Sequence, residues 1–319
     1  MEPAPSEEAA ARQDRVCDGS GSQDCAATRP PAATAREGAE RRPSPRRWLL
    51  AGSTIGLLLA LYGPTLAWMV LNWARHEYYQ HGFLVPVVSG YLIWRRREGL
   101  AATPVQGHGL GLGVLLFGIL VHAGGTLSDV HFVSAGSLVI VLIGSVLYLW
   151  GWAVFRQIAF PLCYLAFMVP LGVALVDLFS NPLQRLATVL AGAALRLGRI
   201  PVEIEGTSLR VPGYLFEIGV PCSGLKALIA LTALSALAAY LLAGPVWKRT
   251  LVFLGAVPVA LAANGARVVA ICLIGKSLGA EAAESFLHEL SGIMVFLLGL
   301  VGLLALGALL GCDQMREDI

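Results

Sequence analysis

The sequence predicts an all-α polytopic membrane protein of about eight transmembrane helices, with a small extracytoplasmic amphipathic helix and a hairpin. Three observations carry that prediction. Of 319 residues, 56% are hydrophobic and only 14% are charged, where a soluble domain carries about 25% charged residues. Mean hydropathy is +0.69. Long uncharged runs recur from Trp48 almost to the end of the chain. The net charge is only +2, and the basic residues form short clusters beside apolar runs. That pattern excludes a nucleic-acid partner and makes membrane lipid the expected surroundings.

Residues 1–45 are rich in Ala, Pro, Arg, Glu and Ser and lack apolar periodicity. They read as a disordered cytoplasmic tail. No cleavable apolar core occupies their first part, so they do not read as a secretory signal. Residues 46–312 form the transmembrane domain, and 313–319 a second cytoplasmic tail. The expected spans cover roughly 48–71, 83–94, 109–128, 132–152, 157–176, 223–243, 250–274 and 290–311. A crossing helix needs about 20 residues, so 83–94 is short for a span. Gly pairs at spacing four (Gly107/Gly111, Gly109/Gly113, Gly307/Gly311) suit close helix packing in lipid.

Orientation follows the basic residues. With the N-terminus inside, the inner segments hold Arg46, Arg47, Arg95, Arg96, Arg97, Arg156, Lys248, Arg249 and Arg316. The short outer loops hold only Arg75 and Lys276. The long 177–221 segment also carries arginines, but long loops count for less. Within it, 180–199 has helical periodicity (Leu183, Leu186, Val189, Leu190, Ala193, Leu197) and reads as an amphipathic helix on the outer surface. Residues 200–220 alternate polar and apolar with Gly and Pro punctuation, as short strands of a hairpin do.

Of six cysteines, none forms a Cys-x-x-Cys pair, so no zinc or redox motif is expected. Cys163 and Cys272 fall inside apolar spans, where a thiol packs as a small hydrophobe. Cys222 differs. It sits in Val-Pro-Cys-Ser-Gly-Leu-Lys, at or just before a helix start, where free N–H groups and the helix dipole favour a thiolate. Arg267, in Asn-Gly-Ala-Arg, lies 16 residues beyond Leu251, about 24 Å along a helix. That places it near the outer boundary of its span, and an arginine in an apolar run is costly enough to suggest function. Asn264 shares its helix face. His288 lies between the acidic stretch Glu281–Glu284 and the last span, and an imidazole there can accept and return a proton. Each has a plainer reading: a packing cysteine, a snorkelling arginine, an interfacial histidine. Together they put a thiol, a cation and an imidazole at one level on consecutive helices. Ser223 is a weaker nucleophile, lacking an adjacent base.

His76-Glu77-Tyr78-Tyr79-Gln80-His81 mimics a zinc motif, but its histidines are five apart where one helix face requires four. No metal is expected there.

At these residues the chain resembles the exosortase/archaeosortase family of membrane cysteine transpeptidases. The matching pieces are Pro221-Cys222-Ser223-Gly224-Leu225, Asn264-Gly265-Ala266-Arg267 and His288. Upstream come Tyr79-Gln80-His81-Gly82-Phe83-Leu84-Val85-Pro86 and Tyr91-Leu92-Ile93-Trp94-Arg95-Arg96-Arg97. Pro182-Leu183-Gln184, Ile200-Pro201-Val202 and Glu205-Gly206 fit the run-up to the cysteine. Pro221 and Lys226 depart from the usual pattern, which more often has a small residue and an arginine. The resemblance covers about residues 48–311. It implies catalytic Cys222, Arg267 and His288, no cofactor, and a place in the bacterial inner membrane with the site on the extracytoplasmic side. The implied substrates are membrane-anchored exported proteins with a C-terminal sorting signal: a motif such as Pro-Glu-Pro, an apolar helix and a basic cluster. The acceptor nucleophile stays open, as does the role of His81: proton carrier, packing residue or substrate contact. A non-catalytic transporter or scaffold is the rival reading. A transporter would place charges near the midplane of several spans, whereas here Arg267 stands alone.

Overall fold

A computed structural model describes residues 45–219, 222–312 and 314–316; the side chains of 45–51, 55, 173 and 286–289 lie outside that description. The expected N-terminal tail therefore lies outside the described residues, save Pro45. From Ala51 onward the chain is one compact unit. Its helices are α1 (Pro45–Arg75), α2 (Leu84–Arg95), α3 (Arg97–Ala102), α4 (Gly109–Leu127), α5 (His131–Leu149), α6 (Trp152–Tyr164), α7 (Val173–Leu197), α8 (Leu225–Leu241), α9 (Val246–Leu278), α10 (Ala280–Glu289) and α11 (Ser291–Leu309). Two 3-10 segments, Glu77–Phe83 and Leu165–Met168, follow α1 and α6.

Among the described residues, five helices are long and apolar enough to cross a membrane: Gly52–Arg75, Gly109–Leu127, His131–Leu149, Val246–Leu278 and Ser291–Leu309. Trp152–Met168 and Leu225–Leu241 are shorter apolar helices. With 12 residues, α2 is shorter still, about 18 Å, as its brief apolar run foretold. The chain is thus a multi-pass helical membrane protein; the described residues hold five candidate full-length spans and shorter apolar helices at other positions where the sequence suggested a span.

Glycines do join helices closely. The expected pair Gly107/Gly111 lies against the Tyr148 backbone, where a Cβ on either would collide. From Gly111 the antiparallel α4 and α5 go on to meet along Gly118 and Gly125, at a spacing of seven. A Cβ on Gly125 would lie 2.6 Å from the Ser134 nitrogen, and one on Gly118 would lie 2.7 Å from Val141 Cγ2. Gly109 and Gly113 face open space, and Gly311 adopts φ +66° where the chain leaves α11. Lipid gives no hydrophobic drive between helices, so small residues that admit a close backbone approach decide the contact. Polar side chains add to it. Tyr62 and Thr65 of α1 pair with Ser137 and Ser134 of α5 at 2.8 and 3.0 Å, and Ser134 pairs with His122 of α4 at 2.9 Å.

The expected amphipathic helix is there as α7, but it starts at Val173 inside the span expected over 157–176. Its protein-facing stripe is Ser180, Gln184, Ala187, Thr188, Ala191 and Leu195. Of the periodic residues named from sequence, Leu186, Val189, Leu190, Ala193 and Leu197 point outward. Water-soluble logic puts the bulky apolar face inside. Here small and hydroxylated residues take the contact with α9 and the sheet, and the large apolar ones form an outer face fit for lipid.

The expected hairpin gains a third strand. β1 (Glu203–Glu205), β2 (Ser208–Val211) and β3 (Tyr214–Glu217) form an antiparallel meander in the order β1-β2-β3. Leu209, Val211, Phe216 and Ile218 bury one face against Ala187, Ala191 and Leu195 of α7 and Val268, Ile271 and Cys272 of α9. Burying Leu209 alone contributes on the order of 2 kcal/mol. This small core fixes the strand that leads into Cys222. Near the chain end, Ala243 N–H donates to the Gln314 carbonyl and Arg316 N–H to the Leu241 carbonyl, both at 2.8 Å.

Candidate active site

The site forms where the sheet hands the chain to α8. The Cys222 N–H donates to the Gly219 carbonyl at 2.9 Å, closing a tight turn. Ser223 is fully buried, and its Oγ accepts from the Leu225 N–H at 3.3 Å. That bond occupies one free donor at the helix start, so Ser223 serves there as a cap. Gly224 then takes φ +84°. A Cβ there would also lie 2.9 Å from Asn264 Cγ, so glycine is required twice over.

That close approach lets α9 grip the cysteine. Asn264, 1% exposed, donates from Nδ2 to the Cys222 carbonyl at 3.0 Å. Cys222 is itself 3% exposed and packs in one cluster with Val268, Ile271 and Cys272 of α9. Arg267, 8% exposed, is one turn beyond Asn264 and directly before Val268. The stretch of α9 that bonds Cys222 thus also carries a buried arginine. Sequence spacing had put Asn264 and Arg267 on one face, and of the two Asn264 bonds Cys222.

His288 falls in the last turn of α10, a helix packed against α9 and α11. Its side chain lies outside the described residues. His81 has a definite part. Its Nε2–H donates to the Phe167 carbonyl at 3.1 Å, and its imidazole also bonds the Tyr78 backbone. Burial pushes its pKa below the ordinary histidine value, against the pull of those two carbonyl bonds. Two further bonds tie the same region together: Trp73 Nε1 to the Met168 carbonyl and the Tyr79 hydroxyl to the Leu171 carbonyl, each 2.8 Å. Gly82 lies flat on the Trp73 indole, where a Cβ would come 2.6 Å from Cδ1. Lys226 Nζ then bonds Glu77 Oε2 at 2.6 Å, linking the 3-10 segment Glu77–Phe83 to the first turn of α8.

Sequence reasoning missed two tyrosines. Tyr214 of β3 lies across Gly275 of α9. Burial raises its pKa, with Cys272, Glu284 and Cys222 adding to the effect. Tyr78 stands in the electrostatic field of Cys222 and Arg267. The available signal was a pair of aromatic residues in a polar stretch at the end of a span.

The opposite end of α8 gathers the basic residues. Arg96 and Arg316 lie over the Tyr240 ring at 5.8 and 5.9 Å, and Arg249 bonds the Ala239 and Tyr240 carbonyls. Three segments assigned to one side by charge alone therefore converge at one end of the bundle.

A multi-pass helical bundle, with a buried cysteine bonded to a helix that carries a buried arginine one turn away, defines a membrane protein with a buried polar cluster. The family model for transmembrane exosortases (Exosortase_EpsH) matches residues 73–305, well over half the chain. The chain belongs to the exosortase family. Comparison with curated proteins and with solved structures gives no match.

Proposed function

We propose that this exosortase is a cysteine transpeptidase that cleaves exported, membrane-anchored proteins at a C-terminal sorting signal. The observation that carries the reading is the Asn264–Cys222 bond, which ties the cysteine before one helix to the next helix, one turn from its buried arginine. In this reading the Cys222 thiolate attacks the scissile carbonyl carbon. The carbonyl π pair moves to oxygen, and Arg267 donates to that oxyanion. The tetrahedral intermediate collapses to a thioester, and the departing amine takes a proton from His288. An acceptor nucleophile then gives its proton back to His288 and displaces Cys222.

The contacts of α8 support a side of the membrane for this reading. Its 17 residues measure about 25 Å, with Cys222 before the first turn and the Arg96–Arg249–Arg316 group around Tyr240 in the last. Basic loops stay in the cytoplasm. In this reading the protein sits in the bacterial inner membrane with Cys222 at the extracytoplasmic end. There it meets a peptide bond just outside the substrate's own membrane helix.

The test is Cys222→Ala in cells that also make a reporter ending in Pro-Glu-Pro, an apolar helix and an arginine cluster. Processing stops while the enzyme still inserts, and intact-mass measurement of the wild type finds the thioester. Cys163→Ala and Cys272→Ala keep activity. Full processing by Cys222→Ala refutes the nucleophile.

A further inference from the structure

Most polar side chains of 77–83 have a stated task. Glu77 pairs with Lys226, the Tyr79 hydroxyl with the Leu171 carbonyl, and His81 with the Phe167 carbonyl. Tyr78 is different. Its hydroxyl is sealed from solvent and makes no hydrogen bond among the described residues. A buried hydroxyl without a partner costs about 1–3 kcal/mol, so a native structure keeps one only for a reason. Cys222, Arg267 and Glu77 all act on this hydroxyl electrostatically. The Asn264 Oδ1, beside the Cys222 carbonyl, is likewise buried with no hydrogen bond. Four bonds (Trp73–Met168, Tyr79–Leu171, His81–Phe167 and Lys226–Glu77) tie the segment down, the last of them to the first turn of α8, just beyond Cys222.

We propose that Tyr78 is a further catalytic residue, whose hydroxyl donates a hydrogen bond to the substrate oxyanion alongside Arg267. The inference rests on the reading of Cys222 as nucleophile. The electron flow is the one already given: sulfur bonds to the carbonyl carbon, and the π pair localises on oxygen. Tyr78 keeps its proton throughout and shares it as a donor. Burial first, and then Cys222, hold its pKa above the ordinary tyrosine value, while Arg267 pulls the other way. The phenol is therefore neutral at working pH. A neutral donor aimed at developing charge helps the transition state more than the ground state, which raises kcat.

The experiment compares two reactions of Cys222 in Tyr78→Phe, which keeps the ring. Acylation by the reporter passes through an oxyanion; alkylation by iodoacetamide does not. Single-turnover acylation at saturating reporter should fall about 100-fold, with KM unchanged, while site-resolved alkylation of Cys222 keeps the wild-type rate. Tyr62→Phe loses a structural bond between α1 and α5, away from the site, and should acylate normally. The proposal is overturned if Tyr78→Phe acylates at the wild-type rate, if alkylation slows in parallel, if only KM rises, or if Tyr62→Phe falls as far. Processing that survives in Cys222→Ala overturns the nucleophile reading itself, whatever Tyr78→Phe does.

Discussion

Replacing Asn264 should loosen Cys222 without touching the thiol. Asn264 Nδ2 is the donor that reaches the Cys222 carbonyl at 3.0 Å, and Asn264 is 1% exposed. Asn264→Ala removes a bond whose net value is about 1 kcal/mol, and it leaves a carbonyl without its donor, which costs about 1–3 kcal/mol. A further loss comes from the space vacated in a packed seam, because Gly224 is already closed against the Asn264 side chain. The sum is about 2–4 kcal/mol, concentrated on one turn. If that turn opens locally, its open population rises by roughly 30- to 1,000-fold, at about 1.4 kcal/mol per decade. Site-resolved maleimide labelling in detergent micelles measures this. Cys222 in the wild type is 3% exposed and should label slowly, whereas Cys163 is exposed and serves as the internal standard. In Asn264→Ala, Cys222 labelling should accelerate at least tenfold while the Cys163 rate stays fixed. Asn264→Asp should do as much, because a carboxylate offers the carbonyl no donor. Unchanged Cys222 labelling in both variants would mean that the bond does not hold the turn, and the argument for a pre-positioned cysteine would fail.

Two other outcomes follow from the fold. His81 is held neutral by burial, with its folded pKa below 6.5. As pH falls past 6.5 the unfolded state takes up the proton first, so stability is full above that value and declines towards the lower folded pKa. Thermal unfolding in detergent should show that decline between pH 6.5 and 5 in the wild type and a shallower one in His81→Gln. Gly125→Leu should separate α4 from α5, since even a Cβ would stand 2.6 Å from the Ser134 nitrogen. A loss of about 3 kcal/mol or more is expected, read as a lower unfolding temperature, while Gly113→Leu, facing open space, should be neutral.

The helical membrane class was legible because composition alone decides it. The polar site was legible in part, because Asn264 and Arg267 sit three apart and any helix puts such residues on one face. What escaped was whatever depends on which face meets which neighbour. The periodicity of α7 announced an amphipathic helix, but not that Ser180, Gln184 and Thr188 would carry its contact with the protein. Gly111, Gly118 and Gly125 form a seam at spacing seven, but Gly109 and Gly113, at spacing four, looked equally good on paper. Tyr78 sat inside a stretch read for metal ligands and then set aside. Its meaning comes from the four bonds that tie its segment down, and these involve residues up to 149 positions away in sequence.

The lengths and contacts of α8 explain why one short helix can organise the whole chain. Its 17 residues fall short of a typical crossing. At one end Gly224 and Ser223 turn the chain so that Cys222 is buried. At the other, Tyr240 draws in guanidinium groups from the α2–α3 junction and the C-terminal segment. A longer helix would push either the thiol into water or the arginines into lipid. A thiol in water is solvated and easily oxidised, and a buried arginine group without carbonyls or rings to meet costs several kcal/mol. The helix is short because two chemistries of opposite demand are fixed to its ends, and α9, gripping it through Asn264 and Arg249, sets the distance between them.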